Sequence, residues 1–67
     1  MLKNTLRQLR LSHEGMSQSA LAEALGISRQ TVYAIEKGKF NPSVKLALEI
    51  ARYFDTQVEN IFYLEDN

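Results

Sequence analysis

Apolar residues recur at intervals of three and four in two neighbouring stretches, residues 18–25 and 29–37. The positions concerned are Leu21, Ala22, Leu25, Val32 and Ile35. This spacing places each set on one face of an amphipathic helix. The two stretches therefore predict a pair of short helices whose apolar faces meet.

Both predicted helices have residues suited to helix ends. Ser17 and Ser28 stand where a serine oxygen accepts hydrogen bonds from the N–H groups of an opening turn. Gly26 stands where the first helix must stop, in a left-handed conformation that costs glycine little. Two crossing helices joined by a short turn form a helix-turn-helix, whose second helix fits the major groove of DNA. We therefore predict a helix-turn-helix over residues 17–37.

Further apolar periodicity predicts a helix on either side of this unit. One begins at Asn4 or Thr5 and runs to about Ser12, and the other runs from about residue 44 to residue 54. The second has a wide apolar stripe that we expect at the centre of the core: Val44, Ala47, Leu48, Ile50, Ala51 and Phe54.

The last part of the chain predicts a fifth helix followed by an extended segment. Thr56 and Glu59 have the spacing of a capping box, in which each side chain accepts a hydrogen bond from the other residue's N–H. Residues 62–64 are aromatic and branched, a composition typical of strands. They could pair with residues 1–3 as a two-stranded antiparallel ribbon, or residues 1–3 could stay unpaired; the pattern leaves both open.

The string S-Q-x-x-L-A-x-x-L-G-I-S-R-Q-T-V-x-x-I-E-x-G-K-x-x-P-S, which begins at Ser17, resembles the Cro/cI-type (Xre) family of helix-turn-helix regulators. The likeness covers about residues 6–62, most of the chain. It implies an all-α, five-helix lambda-repressor-like DNA-binding domain over residues 1–67. It also implies a transcriptional regulator, more often a repressor, that binds a two-fold operator as a homodimer. The third helix of the domain, residues 29–37 here, would lie in the major groove.

The exposed face of the predicted third helix has residue types that read base edges. The Arg29 side chain can form two hydrogen bonds with the O6 and N7 atoms of guanine, and Gln30 can form two with the N6 and N7 atoms of adenine. Tyr33 can stack on a sugar or reach a phosphate, and Ala34 can contact a thymine methyl group. Ser28, at the start of the helix, completes the expected base-contacting set.

Phosphate contacts are expected around this helix from Ser17, Gln18, Lys37, Lys39 and Asn41. Gln18 opens the second helix, where the N-terminal end favours anions, and the resemblance implies that it clamps the DNA backbone. The alternative is an ordinary exposed glutamine. Lys37 and Lys39 flank Gly38 in a basic loop that would follow one phosphodiester strand.

The resemblance also implies a salt bridge between Arg10 and Glu36, across helices 1 and 3. The alternative for Arg10 is a phosphate contact. A carboxylate at the end of a recognition helix repels phosphate, so a structural partner explains Glu36 better.

The fifth helix holds more apolar surface than so short a helix can bury. We expect Ile61 to face inward and Val58 and Phe62 to meet a symmetry mate, with the loop at Asn41 nearby. The alternative is that all three apolar residues belong to the core, covered by the two ends of the chain.

Composition excludes several classes of protein. The 67 residues include no cysteine and one histidine, so we expect neither a disulfide nor a metal centre, and no cofactor. No nucleophile–base–acid set or phosphate-binding glycine loop points to an enzyme. The longest apolar runs, residues 32–35 and 61–64, are too short to span a membrane. With no signal peptide and no evident small-molecule ligand, a cytoplasmic protein is expected.

Charge is distributed unevenly along the chain. Eight basic and eight acidic residues cancel, which alone argues against a nucleic-acid partner. Residues 1–45, however, hold seven Lys and Arg against three acids, whereas residues 46–67 hold one against five. Such a dipolar molecule can present a basic face to phosphates. The alternative function is an antitoxin-like or other protein-binding module on the same fold.

Overall fold

Four α-helices, one 3-10 turn and two short strands make up the computed structural model, which describes residues 1–66. The helices are Leu6–Leu11 (α1), Gln18–Leu25 (α2), Arg29–Glu36 (α3) and Val44–Tyr53 (α4). The strands are Leu2–Asn4 (β1) and Phe62–Leu64 (β2), and the 3-10 turn spans Val58–Asn60. None of the helices in residues 1–66 is long and apolar enough to cross a membrane. Asn67, the last residue of the predicted domain, lies outside the described residues.

The core lies where the four helices meet the chain that follows the 3-10 turn. Each helix contributes at least one side chain that is almost completely buried, and the residue after the 3-10 turn contributes another. These residues are Leu6, Leu21, Val32, Ile35 and Ile50 in the helices, and Ile61 after the turn. Burial of apolar surface is the main favourable contribution to folding. The shared core therefore holds α2 and α3 in a fixed relation to each other.

The helix ends match the capping pattern of the sequence. Ser17, Ser28 and Ser43 each accept a hydrogen bond from the backbone N–H three residues later, at 3.0–3.1 Å. Gly26 ends α2 with a φ of 71°, in the left-handed region. These local interactions fix where α2 stops and α3 begins.

We expect Gly26→Ala to lower the free energy of unfolding by about 1–2 kcal/mol, because an L-residue in the left-handed region is strained. The added Cβ would meet no heavy atom within 4 Å, so the loss comes from the backbone alone. Gly26→Asn is the matched control and should lose less, since asparagine visits this region more readily. Urea denaturation measures both. Equal stability of wild type and Gly26→Ala would contradict the left-handed conformation assigned to residue 26.

The two strands form the antiparallel ribbon that the sequence left open, with Lys3 opposite Tyr63. Asn4 ties this ribbon to the helices. Its Nδ2 donates to the backbone oxygen of Ile35 at 2.9 Å, and its Oδ1 accepts from the N–H of Leu6 at 3.1 Å. The ribbon is confirmed, with β1 one residue later in the chain than predicted, and β1 lies beside the C-terminal end of α3.

The predicted fifth helix is wrong, because Val58–Asn60 form only one 3-10 turn. Thr56 does not form the capping box, since its hydroxyl accepts from Asn60 Nδ2 at 3.0 Å. Thr5 supplies the reason for the short turn. Its N–H donates to the backbone oxygen of Ile61 at 2.9 Å, and its hydroxyl donates to that of Asn60 at 3.0 Å. The carbonyls that a longer helix would use are bonded across the molecule instead.

Phe62 does not have the exposure that the interface prediction required. It opens β2 and is only 9% exposed, so its ring belongs to the core of the monomer. Ile61 is buried, as expected, and Val58 is partly buried against the core. Pairing of β2 with β1 gives Phe62 a covered position that the predicted helix would not have provided.

Two residues of the α4 stripe lie outside the core. Val44 is 78% exposed and Leu48 is 56% exposed, contrary to the prediction. The helix does bury Ile50, and Phe54, the residue that follows the helix, is buried as well, both as predicted. At about 100° per residue, Val44 and Leu48 lie roughly 120° around the helix axis from that pair. The apolar stripe is therefore wider than the face that the neighbouring elements cover.

Candidate nucleic-acid interface

One face of α3 points away from the core and has the residues expected to read bases. Burial of Val32 and Ile35 fixes the orientation of the helix. Arg29, Gln30 and Tyr33 are exposed and together line one shallow depression. Arg29 and Gln30 occupy the first turn of α3, so their donors and acceptors extend from its N-terminal end.

The two remaining predicted base contacts are less available, Ala34 through burial and the exposed Ser28 through hydrogen bonds within the protein. Ala34 is partly buried. The Ser28 oxygen accepts from the N–H of Thr31 at 3.1 Å and lies 2.8 Å from the Thr31 hydroxyl. The Ser28 hydroxyl is thus engaged in capping α3, and a base contact would have to share it.

Behind α3, a buried ion pair joins two helices. Arg10 Nε donates to Glu36 Oε2 at 2.7 Å, and Arg10 Nη2 donates to Glu36 Oε1 at 3.1 Å. The two side chains are 8% and 3% exposed. Arg10 Nη1 also donates to the backbone oxygen of Met16 at 2.6 Å. Arg10 therefore holds the end of α3 and the loop before α2, and its guanidinium is turned away from solvent.

Gln18 belongs to the same network. Its Nε2 donates to Glu36 Oε1 at 3.0 Å. The side chain that was expected to contact a phosphate therefore uses one of its N–H donors within the protein. A glutamine amide has a second N–H and an acceptor oxygen left for other partners. Sequence reasoning missed this bond. The signal was Glu36, since a buried carboxylate needs more donors than one arginine fork supplies.

A cleft of about 340 Å³ lies between β1 and the C-terminal end of α3. It brings Lys37 and Asn41, two predicted phosphate contacts, together with Lys3. The Lys3 ammonium is 3.6 Å from a Glu65 carboxylate oxygen and is close to half exposed. Lys3 is absent from the predicted contacts, because only the ribbon brings it to this end of α3.

The remaining predicted contacts lie around this cleft and at the start of α2. Lys37 Nζ lies 5.7 Å from the centroid of the Tyr33 ring, which joins the basic loop to the exposed face of α3. Lys39 is exposed in the same loop. Ser17 is exposed, and its oxygen caps α2. Within residues 1–66, no three His, Cys, Asp or Glu side chains are placed to hold a metal ion.

A model of the helix-turn-helix family matches residues 6–61, which include all four α-helices. The chain belongs to the Xre-type helix-turn-helix family. It is 50% identical over 66 residues to the "Uncharacterized HTH-type transcriptional regulator MJ0272" of Methanocaldococcus jannaschii, with 98% of each chain covered. It is 46% identical over 65 residues to the "Uncharacterized HTH-type transcriptional regulator YgzD" of Bacillus subtilis, with 97% of each covered.

A third relative, from Archaeoglobus fulgidus, bears the same type of name. It is 40% identical to this Xre-type chain over 65 residues, which cover 97% of the chain and 91% of the relative. These likenesses span nearly the whole length of the proteins. The ribbon therefore lies largely within the region that this chain shares with its relatives.

Proposed function

We propose that this Xre-type chain is a sequence-specific DNA-binding transcriptional regulator whose α3 enters the major groove. The observation that carries the proposal is the exposed face of α3, where Arg29 and Gln30 stand side by side on the first turn. Both side chains form bidentate hydrogen bonds to the edges of purines. The relatives named as HTH-type transcriptional regulators support the same function.

The proposed DNA contacts fall into two classes. Bases are read by Arg29 and Gln30, with Tyr33, Ala34 and Ser28 beside them. Phosphates are held by Ser17, Gln18, Lys37, Lys39 and Asn41, and the cleft beside β1 adds Lys3 to this set. Contacts of the first class specify the sequence, and those of the second position the protein on the duplex.

The regulator acts, in this proposal, as a homodimer on a two-fold operator. One helix in one major groove reads only a few base pairs, too few to stand out among the roughly 10⁶–10⁹ competing sites of a genome. Two copies related by a two-fold axis read two half-sites about one helical turn apart. Repression is the proposed outcome, because a dimer bound across promoter DNA obstructs the polymerase by occupancy alone.

Lys39→Ala should weaken binding to every duplex by a similar factor and reduce the slope of log affinity against log salt concentration by about one. The reason is that a loop lysine beside the backbone neutralises phosphate without reading bases. Fluorescence anisotropy with random-sequence duplexes at several salt concentrations measures the slope. Lys3→Ala should behave in the same way.

Arg7→Ala is the matched control, because it removes an exposed charge on α1 that belongs to neither class of contact. It should leave the slope unchanged. Wild-type protein without salt-dependent affinity for duplex DNA would overturn the proposed function. An unchanged slope in Lys39→Ala would remove only that residue from the phosphate contacts.

A further inference from the structure

The outer side of α4 has an apolar pair that nothing in residues 1–66 covers. Val44 and Leu48 are 78% and 56% exposed, and their spacing of four places them one turn apart on one face. A partner that removes grouped aliphatic side chains such as these from water lowers the free energy of the system, so the burial favours association.

Two charges of opposite sign accompany this pair. Lys45 and Glu49 are exposed, each directly following one of the apolar residues, so they lie on the same flank of the stripe. Within residues 1–66 neither side chain forms an ion pair. A lysine four residues before a glutamate is also the weaker orientation for a pair within one helix. Both charges are therefore available to a second molecule.

We propose that a second copy of this chain covers the stripe, with the two α4 helices packed antiparallel about a two-fold axis. This packing sets Val44 against Leu48 of the second copy. It also sets Lys45 against Glu49, because the axis brings the same flank of both helices together in opposite directions. The surface is thus its own complement in apolar character and charge, as a two-fold interface requires. This surface would be the dimer interface of the proposed regulator. The role of the interface on a two-fold operator rests on that proposed function.

The C-terminal half of the stripe lies away from the DNA contacts proposed on α2, whereas Val44 begins α4 three residues after Asn41. Glu49 lines a groove with Ala24 and Leu25, which lie at the C-terminal end of α2. Gln18 lies at the opposite end of that helix. A second copy on α4 therefore approaches α2 far from the end that faces the proposed phosphate contacts. Phe62 is buried in the monomer and is therefore not free to form the interface that the sequence predicted.

Sedimentation of the full chain without DNA tests the apolar part of the interface. Wild type should sediment as a dimer, and Leu48→Glu as a folded monomer. Leu64→Glu is the matched control, because Leu64 is an aliphatic residue that is 77% exposed in β2, outside the stripe. It should remain a dimer. A folded Leu48→Glu that sediments like wild type, or a monomeric wild type, would overturn the inference.

A charge exchange tests the antiparallel pairing and does not require burial of a new charge. Lys45→Glu and Glu49→Lys should each raise the dimer dissociation constant about tenfold, and the double variant should return it to within about threefold of wild type. Circular dichroism confirms that each variant is folded. A double variant as weak as the product of the two single effects would overturn the pairing. This series decides the matter if Leu48→Glu fails to fold.

The same variants separate this inference from the proposed function. Dimeric wild type and monomeric α4 variants, with no binding of any duplex, would sustain the interface and refute DNA binding. Specific DNA binding with an intact dimer in Leu48→Glu would refute the interface and sustain the function.

Discussion

Glu36→Ala should lower the free energy of unfolding by about 3–5 kcal/mol, the loss that follows when one partner of a buried ion pair is removed. The Arg10 side chain is 8% exposed and would keep its charge without the carboxylate that now accepts two of its hydrogen bonds. Gln18 would lose its acceptor as well. Urea denaturation of the wild type and the variant measures the difference.

Glu23→Ala is the control for this prediction. Glu23 is an exposed glutamate of α2, and its replacement should change the free energy of unfolding by no more than about 0.5 kcal/mol. Glu36→Gln should fall between the two, because an amide oxygen still accepts from Arg10 but the charge is gone. If Glu36→Ala is as stable as wild type, the buried network does not hold α1 and α3 together.

Arg29→Ala should weaken binding to the cognate duplex by about 1–3 kcal/mol, the contribution of one bidentate contact to a base. Binding to a random duplex should change far less, so the ratio of the two affinities should fall. Gln30→Ala should do the same at a neighbouring base pair. The physical reason is that both side chains extend from the N-terminal turn of α3, the part of a recognition helix that contacts base edges.

Arg7→Ala serves here as the charge-matched control, since it also removes one exposed guanidinium. Any loss that it causes should be equal for cognate and random duplexes. Competition titrations monitored by fluorescence anisotropy give the affinity ratio for each variant. An unchanged ratio in Arg29→Ala would show that Arg29 does not read the sequence.

The helix-turn-helix was predictable because its signals are local. Ser17, Gly26 and Ser28 fix the ends of α2 and α3 through hydrogen bonds and dihedral angles within a few residues of each cap. The apolar spacing between these caps fixes which face of each helix is buried. For the same reason, the exposure of Arg29, Gln30 and Tyr33 on α3 could be predicted from the sequence, whereas Ala34 is partly buried.

Interactions between distant residues account for what the sequence did not reveal. The last helix is cut short by Thr5, whose hydroxyl bonds to the backbone 55 residues away. Gln18 is held by Glu36, and Lys3 reaches the end of α3 only through the ribbon. Periodicity identified Val44 and Leu48 as part of one apolar stripe, but not how much of that stripe the neighbouring elements cover.

Selection of bound duplexes from a random-sequence pool tests the central proposal most directly. The full chain should enrich one motif made of two inverted half-sites about one helical turn apart, centre to centre. The same selection with Arg29→Ala should lose the preference at one base pair in each half-site. Recovery of duplexes with no enriched motif, from protein that is folded and dimeric, would contradict sequence-specific binding by α3.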